Sequence, residues 1–274
     1  MALTDEQITN FRTHGWIAVP DFWNKEETAA MQTEVARLKH DGLLHNVATE
    51  GDGKTQAQSK ANLQLCPMSP HSALFRALPF APKVVEAVGQ LIGDPVALHL
   101  DQVFLKPAHH GVGTNWHQDN AYFEIADPLM GTALWTAVHD ATIDNGTIRV
   151  IPDAFNTKLE HTRDGDSNHH VRCYPDESRA IPVELTAGGV VFFAYGTPHA
   201  TGRNGTDRDR AGAAYHFLNT SAIPESYFDR HNSDMPHPIL SGPDASDGML
   251  EYGVIVRDAW QKEVEVRTAR GENK

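Results

Sequence analysis

The chain has 274 residues, 40% of them apolar, enough to bury a sizeable core. A net charge of −13 weighs against nucleic acid or an anionic membrane surface as partner, and two cysteines with no spaced motif (Cys66 and Cys173) suggest reduced thiols. The start MALTDEQITN is too polar for a signal peptide and no apolar run reaches membrane-spanning length, so a cytoplasmic protein is expected. Helical patterning fills the first third. In LTDEQITNFRTHGW, Thr4 and Gln7 form a capping box and Gly15 a stop. WIAVPDF reads as a short strand. NKEETAAMQTEVARLKHDG repeats the helix signals, with Asn24 as cap, Glu27 three positions on and Gly42 as terminator. APKVVEAVGQLIG predicts a third helix, entered at Pro82 and closed by Gly93.

From about residue 96 the period changes. VALHLDQVFL, GTALWTAVHDA, GTIRVIP, IPVELTAGGVVFFAY and GAAYHFLNTS are β-branched and aromatic runs divided by Gly, Pro, Asn and Asp. That pattern predicts a mainly β, antiparallel sandwich or double-sheet barrel with flanking N-terminal α-helices. We expect one domain over 1–274: a mainly helical flank (1–95), a core (96–220) and a C-terminal extension (221–274). The polar stretches 44–62 and 154–180 are too long for plain connections and are expected to cover a site. The segment DMPHPILSGPDASDGMLEYGVIVRDAW reads as an arm that reaches a partner subunit or covers its own site, and oligomeric state stays open.

One short stretch raises a chemical question. NWHQDNAYF places His117 and Asp119 two apart, which on a strand aims both side chains at one face. Two histidines and a carboxylate with open positions suit non-haem Fe(II), and His199 in FFAYGTPHATGRN supplies a third candidate ligand. An H-x-D triplet alone is weak, since a polar turn can contain one. Eleven residues past His199 stands Arg210, whose guanidinium can fork onto a carboxylate.

In combination these segments resemble the phytanoyl-CoA dioxygenase-like family of Fe(II)- and 2-oxoglutarate-dependent oxygenases. The resemblance runs from LTDEQITNFRTHGWIAVPDF to about residue 220. It takes in DQVFLKPA, WHQDNAYF, ALWTAVHDAT, NGTIRVIP and the segment from His199 to Arg210. It implies a double-stranded β-helix, or jelly-roll (cupin-like) barrel. It implies His117, Asp119 and His199 as iron ligands, and Arg210 as the partner of the distal carboxylate of 2-oxoglutarate. Thr201, Gln102, Trp135 and Lys60 match further co-substrate positions. The implied reaction consumes O2 and 2-oxoglutarate, releases succinate and CO2, and oxidises a C–H bond, most simply by hydroxylation. An aspartate at 119 sets the chain apart from related halogenases, which lack the carboxylate ligand. Where the family often reads VIPGSH this chain has VIPDAF, a change expected to reshape the substrate side.

For the substrate, Asn120, Tyr122, Arg149 and His170 are candidate contacts. Arg149 competes with a reading as an ion-paired or solvent-facing strand residue. With His169 and Arg172 they point to a small polar or anionic metabolite. Two alternatives stand beside this reading: a cupin-like metal enzyme that does not use 2-oxoglutarate, and a non-catalytic ligand-binding protein of the same fold.

Overall fold

The computed structural model describes residues 2–231 and 234–271. Thr4 caps α1 (Asp5–His14) in a reciprocal box with Gln7, and Asn24 does the same with Glu27 for α2 (Lys25–His40). Gly15 ends α1 at φ +80°, and a Cβ there would lie 2.6 Å from the Phe155 ring, so both backbone and packing require glycine. α3 (Ala73–Ala77) and α4 (Pro82–Ile92) follow, α4 burying Val84, Ala87, Val88 and Leu91 as one helical stripe.

The strands are β1 (Trp16–Val19), β2 (His45–Asn46), β3 (Leu63–Leu65), β4 (Val96–Lys106), β5 (Gly131–Ala137), β6 (Ile148–Val150), β7 (Thr162–Arg163), β8 (Val171–Arg172), β9 (Ile181–Pro182), β10 (Val190–Ala194), β11 (His199–Thr201) and β12 (Arg210–Asn219). Between β4 and β5 lies the one-turn α5 (Asn120–Phe123); after β12 come α6 (Tyr227–Arg230), α7 (Met249–Tyr252) and α8 (Ala259–Gly271). Seven strands form a large antiparallel sheet in the order β1-β10-β5-β12-β4-β3-β2, and β11-β6-β9 form a small one. The expected jelly-roll architecture with outer helices is what the chain adopts.

Strand alternation divides the apolar residues between two cores. On one face of the large sheet, Leu134, Phe192, Ala213, Tyr215 and Phe217 pack with α2, α3, α4 and α8. On the other, Ala133, Trp135, Val191, Phe193 and Ala214 meet Ile148 and Val150 of the small sheet. Phe192 and Phe193, neighbours in sequence, therefore serve different cores. Pairing of β12 with β4 slips between His216 and Phe217, which face Leu100 and Leu98, so His99 is the extra residue of a bulge.

The two long polar stretches are joined to each other. Thr49 N–H donates to Asp166 O, Asn168 N–H to Val47 O and Gly53 N–H to Gly165 O. The β7–β8 hairpin carries the second stretch, so it is less irregular than its composition suggests. The C-terminal arm lies on its own chain: Leu98 N–H donates to Pro238 O, Leu240 N–H to Val96 O, and Trp260 of α8 donates to Glu27 of α2. No helix among the described residues is long and apolar enough to cross a membrane.

Candidate metal centre and its two cavities

His117 and His199 face each other as cross-strand partners, exchanging both backbone hydrogen bonds (3.0 and 2.9 Å). Asp119 is reached differently from the strand-alternation expectation. Residues 115–119 are not a strand; Asp119 has helical dihedrals (φ −58°, ψ −32°) and opens α5. The turn, not alternation, brings its carboxylate back to the histidine pair. Between the two, Gln118 points away and ties down the covering stretch. It donates to Gly196 O and Thr157 O and accepts from Leu159 N–H.

The three side chains are buried and their ligand atoms lie within 4.8 Å of one another. His117 Nδ1 is 2.8 Å from Asn115 O and His199 Nδ1 is 3.0 Å from Thr197 O; donation to those carbonyls leaves both Nε2 atoms as acceptors. These Nε2 atoms sit 3.7 and 3.6 Å from Asp119 Oδ1. Asp119 Oδ2 is buried without a hydrogen bond, although His216 Nε2 makes an ion-pair contact with it at 3.2 Å. Burial and the nearby His199 push His117 down to about 3, and burial lowers His199. Burial alone would raise the Asp119 carboxyl, but His216, His199 and His117 more than offset it and hold it low. Two neutral imidazoles and one carboxylate with a free oxygen make a donor set that fits a divalent iron ion.

Two cavities meet at these residues. The inner one lies between the sheets. Trp135, Gln102, Thr201 and Arg210, all expected near a co-substrate, line it. Arg210 is almost fully buried, its guanidinium 5.6 Å from the Trp135 ring centroid, and it donates to Gly146 O. Among the described residues it has no carboxylate partner. Burial brings it down to about 10, so it stays charged at neutral pH. Thr201 Oγ1 accepts from Thr114 N–H at 2.9 Å.

The inner cavity also contains a second basic side chain that the sequence reading overlooked. Lys106, equally buried, donates to Gly146 O and Gly202 O; burial and then the charges of Arg210 and Arg149 push its ammonium well below its ordinary value. Its position was legible: on β4 it shares a face with Gln102 and stands opposite Arg210. The same logic finds His216, which lies on the face of β12 that carries Arg210 and Ala214.

The outer cavity, of about 810 Å³, reaches the metal centre from the other side and includes Tyr122 and His170 in its lining. His170 belongs to both cavities. Three expected contacts lie elsewhere. Asn120 is turned away, both its amide atoms spent on the Ile125 backbone. Arg149 stacks over Trp116 at 4.9 Å, pairs with Glu177 at 3.5 Å and lines neither cavity, because its strand parity points it away from the site. Lys60 also lines neither. It pairs with Asp166 at 3.2 Å and so clasps the two covering stretches together. Phe155 of VIPDAF packs on Gly15, away from the outer cavity.

The phytanoyl-CoA dioxygenase (PhyH) family model matches residues 11–212. Among curated relatives, an ectoine dioxygenase of Bordetella bronchiseptica is 20% identical, covering 82% of this chain and 79% of its own. A methylphosphonate hydroxylase of Gimesia maris is 25% identical, covering 82% and 85%. A crystal structure of EctD from S. alaskensis with 2-oxoglutarate and 5-hydroxyectoine superposes at TM-score 0.64, with 18% identity over 93% of this chain and 86% of that one. The carbocyclase SnoK from nogalamycin biosynthesis, a non-haem α-ketoglutarate-dependent enzyme, superposes at 0.67, with 17% identity and 90% of both chains covered. With most of its length inside the family model and a two-histidine, one-carboxylate centre at its heart, the chain belongs to the phytanoyl-CoA dioxygenase family of non-haem iron, 2-oxoglutarate-dependent oxygenases.

Proposed function

We propose that this oxygenase hydroxylates a C–H bond of a small, polar metabolite, with 2-oxoglutarate converted to succinate and CO2, and that the site residues divide as follows. His117, Asp119 and His199 would hold the iron, whose bound form supplies, with O2 and 2-oxoglutarate, the oxidising chemistry. Arg210 would receive the distal carboxylate of the co-substrate. The observation that carries this is a buried guanidinium with no carboxylate of its own in a narrow cavity that opens onto the three ligand atoms. A buried cation left without an anion is costly, and a dicarboxylate relieves it. Trp135 covers the guanidinium and keeps water from it; Thr201 and Gln102 offer hydrogen bonds along the same wall. Lys106 stands behind Arg210 as a further N–H donor to the same backbone carbonyl, Gly146 O. A cupin-like enzyme working without 2-oxoglutarate would leave this buried guanidinium unused.

The outer cavity would take the substrate, with Tyr122 and His170 at its inner end. The relatives named for ectoine and methylphosphonate support a small substrate.

The test is an anaerobic titration with Fe(II) and then 2-oxoglutarate, followed by the weak visible metal-to-ligand charge-transfer band. We expect the band in the wild type, its loss in His199→Ala, and at least tenfold weaker 2-oxoglutarate binding in Arg210→Ala. Iron binding without a band would sink the co-substrate assignment. Asp119→Ala should release no succinate with any substrate.

A further inference from the structure

The chain carries a net charge of −13, yet apart from Asp119 the polar lining of its outer cavity is histidines, amides, Tyr122 and Arg230, set among apolar side chains such as Leu65 and Leu100. Among the described residues lining it, the metal-ligand candidate Asp119 is the only carboxylate. Such a distribution does not follow from the composition and selects against cations.

His170 gives the cavity a specific chemical demand. The ring is buried where the inner and outer cavities join, its centroid 5.9 Å from that of His117. Tyr122 accepts a hydrogen bond from Val171 N–H at 2.8 Å, so its own proton is free to go to His170 Nδ1, 3.4 Å away. An imidazole that accepts at Nδ1 carries its proton at Nε2. The ring donates at Nε2 in this tautomer, and it would donate there when doubly protonated as well. Nε2 is buried and meets no hydrogen-bond partner among the described residues. The backbone holds it there: Asp164 N–H and Arg163 Nη1 both donate to His170 O, at 3.0 and 2.6 Å, and the His169 ring lies against it at 4.1 Å. A fixed, dry N–H donor requires an acceptor from the ligand. Arg230, at the end of α6, is exposed at the wall of the same cavity and forms no ion pair with another described residue.

We propose that the substrate is a small organic oxyanion whose charged head group is received by His170 Nε2–H and the Arg230 guanidinium. The short span from His170 to His117 places the reacting C–H bond within a few bonds of that head group. Carboxylates and phosphonates share this chemistry. The proposal rests on the inner cavity being the co-substrate site, and the experiment separates the two.

The probes are butyrate, propylphosphonate, butyramide and butylammonium, titrated calorimetrically into the enzyme loaded with Mn(II) and 2-oxoglutarate. At least one anion should bind ten times or more tighter than the neutral amide, and the better of the two identifies the head group. His170→Phe keeps the ring and its stacking but removes the donor; Arg230→Gln changes only an exposed side chain. Each should cut the anion-to-amide preference at least fivefold. Equal binding of butyramide, preference for butylammonium, or no binding of any probe at millimolar concentration overturns the proposal. So does loss of 2-oxoglutarate affinity in His170→Phe with the anion preference intact, which would assign His170 to the inner cavity. Failure of the charge-transfer band in the wild type would instead strike the underlying co-substrate reading.

Discussion

His216 stands behind Asp119 in a way that only the folded chain makes visible. Its Nε2 lies 3.2 Å from Asp119 Oδ2, the oxygen not aimed at the two ligand histidines. A carboxylate that holds a metal through one oxygen is oriented by what contacts the other, and such outer partners typically govern about 10–100-fold of metal affinity. His216→Ala should therefore weaken Fe(II) or Co(II) binding by roughly that factor, measured anaerobically against a chromophoric chelator. His216→Gln, whose amide can still donate to the carboxylate, should recover most of the loss. If both variants bind metal like the wild type, His216 serves only to fill the space beside Phe123 and Tyr195.

At the scale of the element, β12 is the organising strand. Arg210, Gly212, Ala214 and His216 face the site while Ala211, Ala213, Tyr215 and Phe217 face the helices. The small residues between Arg210 and His216 are what make room. A Cβ on Gly212 would come within 2.7 Å of Trp135 Cζ2, because the indole passes directly over the backbone on its way to Arg210. Gly212→Ala should displace Trp135, destabilise the fold by about 1–3 kcal/mol of overpacking, and loosen 2-oxoglutarate binding. Differential scanning calorimetry and the charge-transfer titration read the two effects, and an unchanged titration would show that Trp135 does not guard Arg210. Strands of this kind were legible from sequence because parity is a local property: once Arg210 is placed, Ala214 and His216 follow, and Gln102 likewise predicts Lys106. Arg149 shows the limit of that reasoning: a substrate contact and an ion-paired, outward-facing residue were both open, and its pairing with Glu177 agrees with the second. Its strand was correctly placed, but which face of β6 looks inward depends on pairing with β11, a non-local fact. Asp119 shows another: a turn brings its carboxylate to the two candidate histidines, and strand alternation was the wrong account of it. The two long polar stretches stood out by length and polarity, whereas their mutual hydrogen bonds, and with them the place of Lys60, depend on residues more than a hundred positions apart.

Across the whole molecule, the barrel is backed by a joint between the two ends of the chain. α8 packs against α2, and at the contact the fully buried Glu34 receives hydrogen bonds from Arg267, Arg37 and Ser72. Burial alone would raise this carboxyl, but its three donors outweigh that and bring it from 4.5 to about 2. A carboxyl whose pKa is lower in the folded state stabilises the fold above the unfolded value and loses that contribution as pH falls through the folded one. Glu34 therefore supports the fold fully above about pH 4.5 and progressively less toward pH 2, a span worth roughly 3 kcal/mol. Among the described residues, Glu34→Gln leaves Arg267 only its longer, 3.6 Å contact with Glu263 and should cost about 3 kcal/mol at pH 7, the low end for breaking a buried pair. Its stability should also vary less than the wild type's between pH 5 and pH 3, since the group that titrates there is gone. Urea unfolding of both proteins at these two pH values distinguishes the outcomes. An equal acid-induced loss in the variant would show that the acid sensitivity of the fold lies elsewhere, and that the α2–α8 joint is held by its apolar contacts alone.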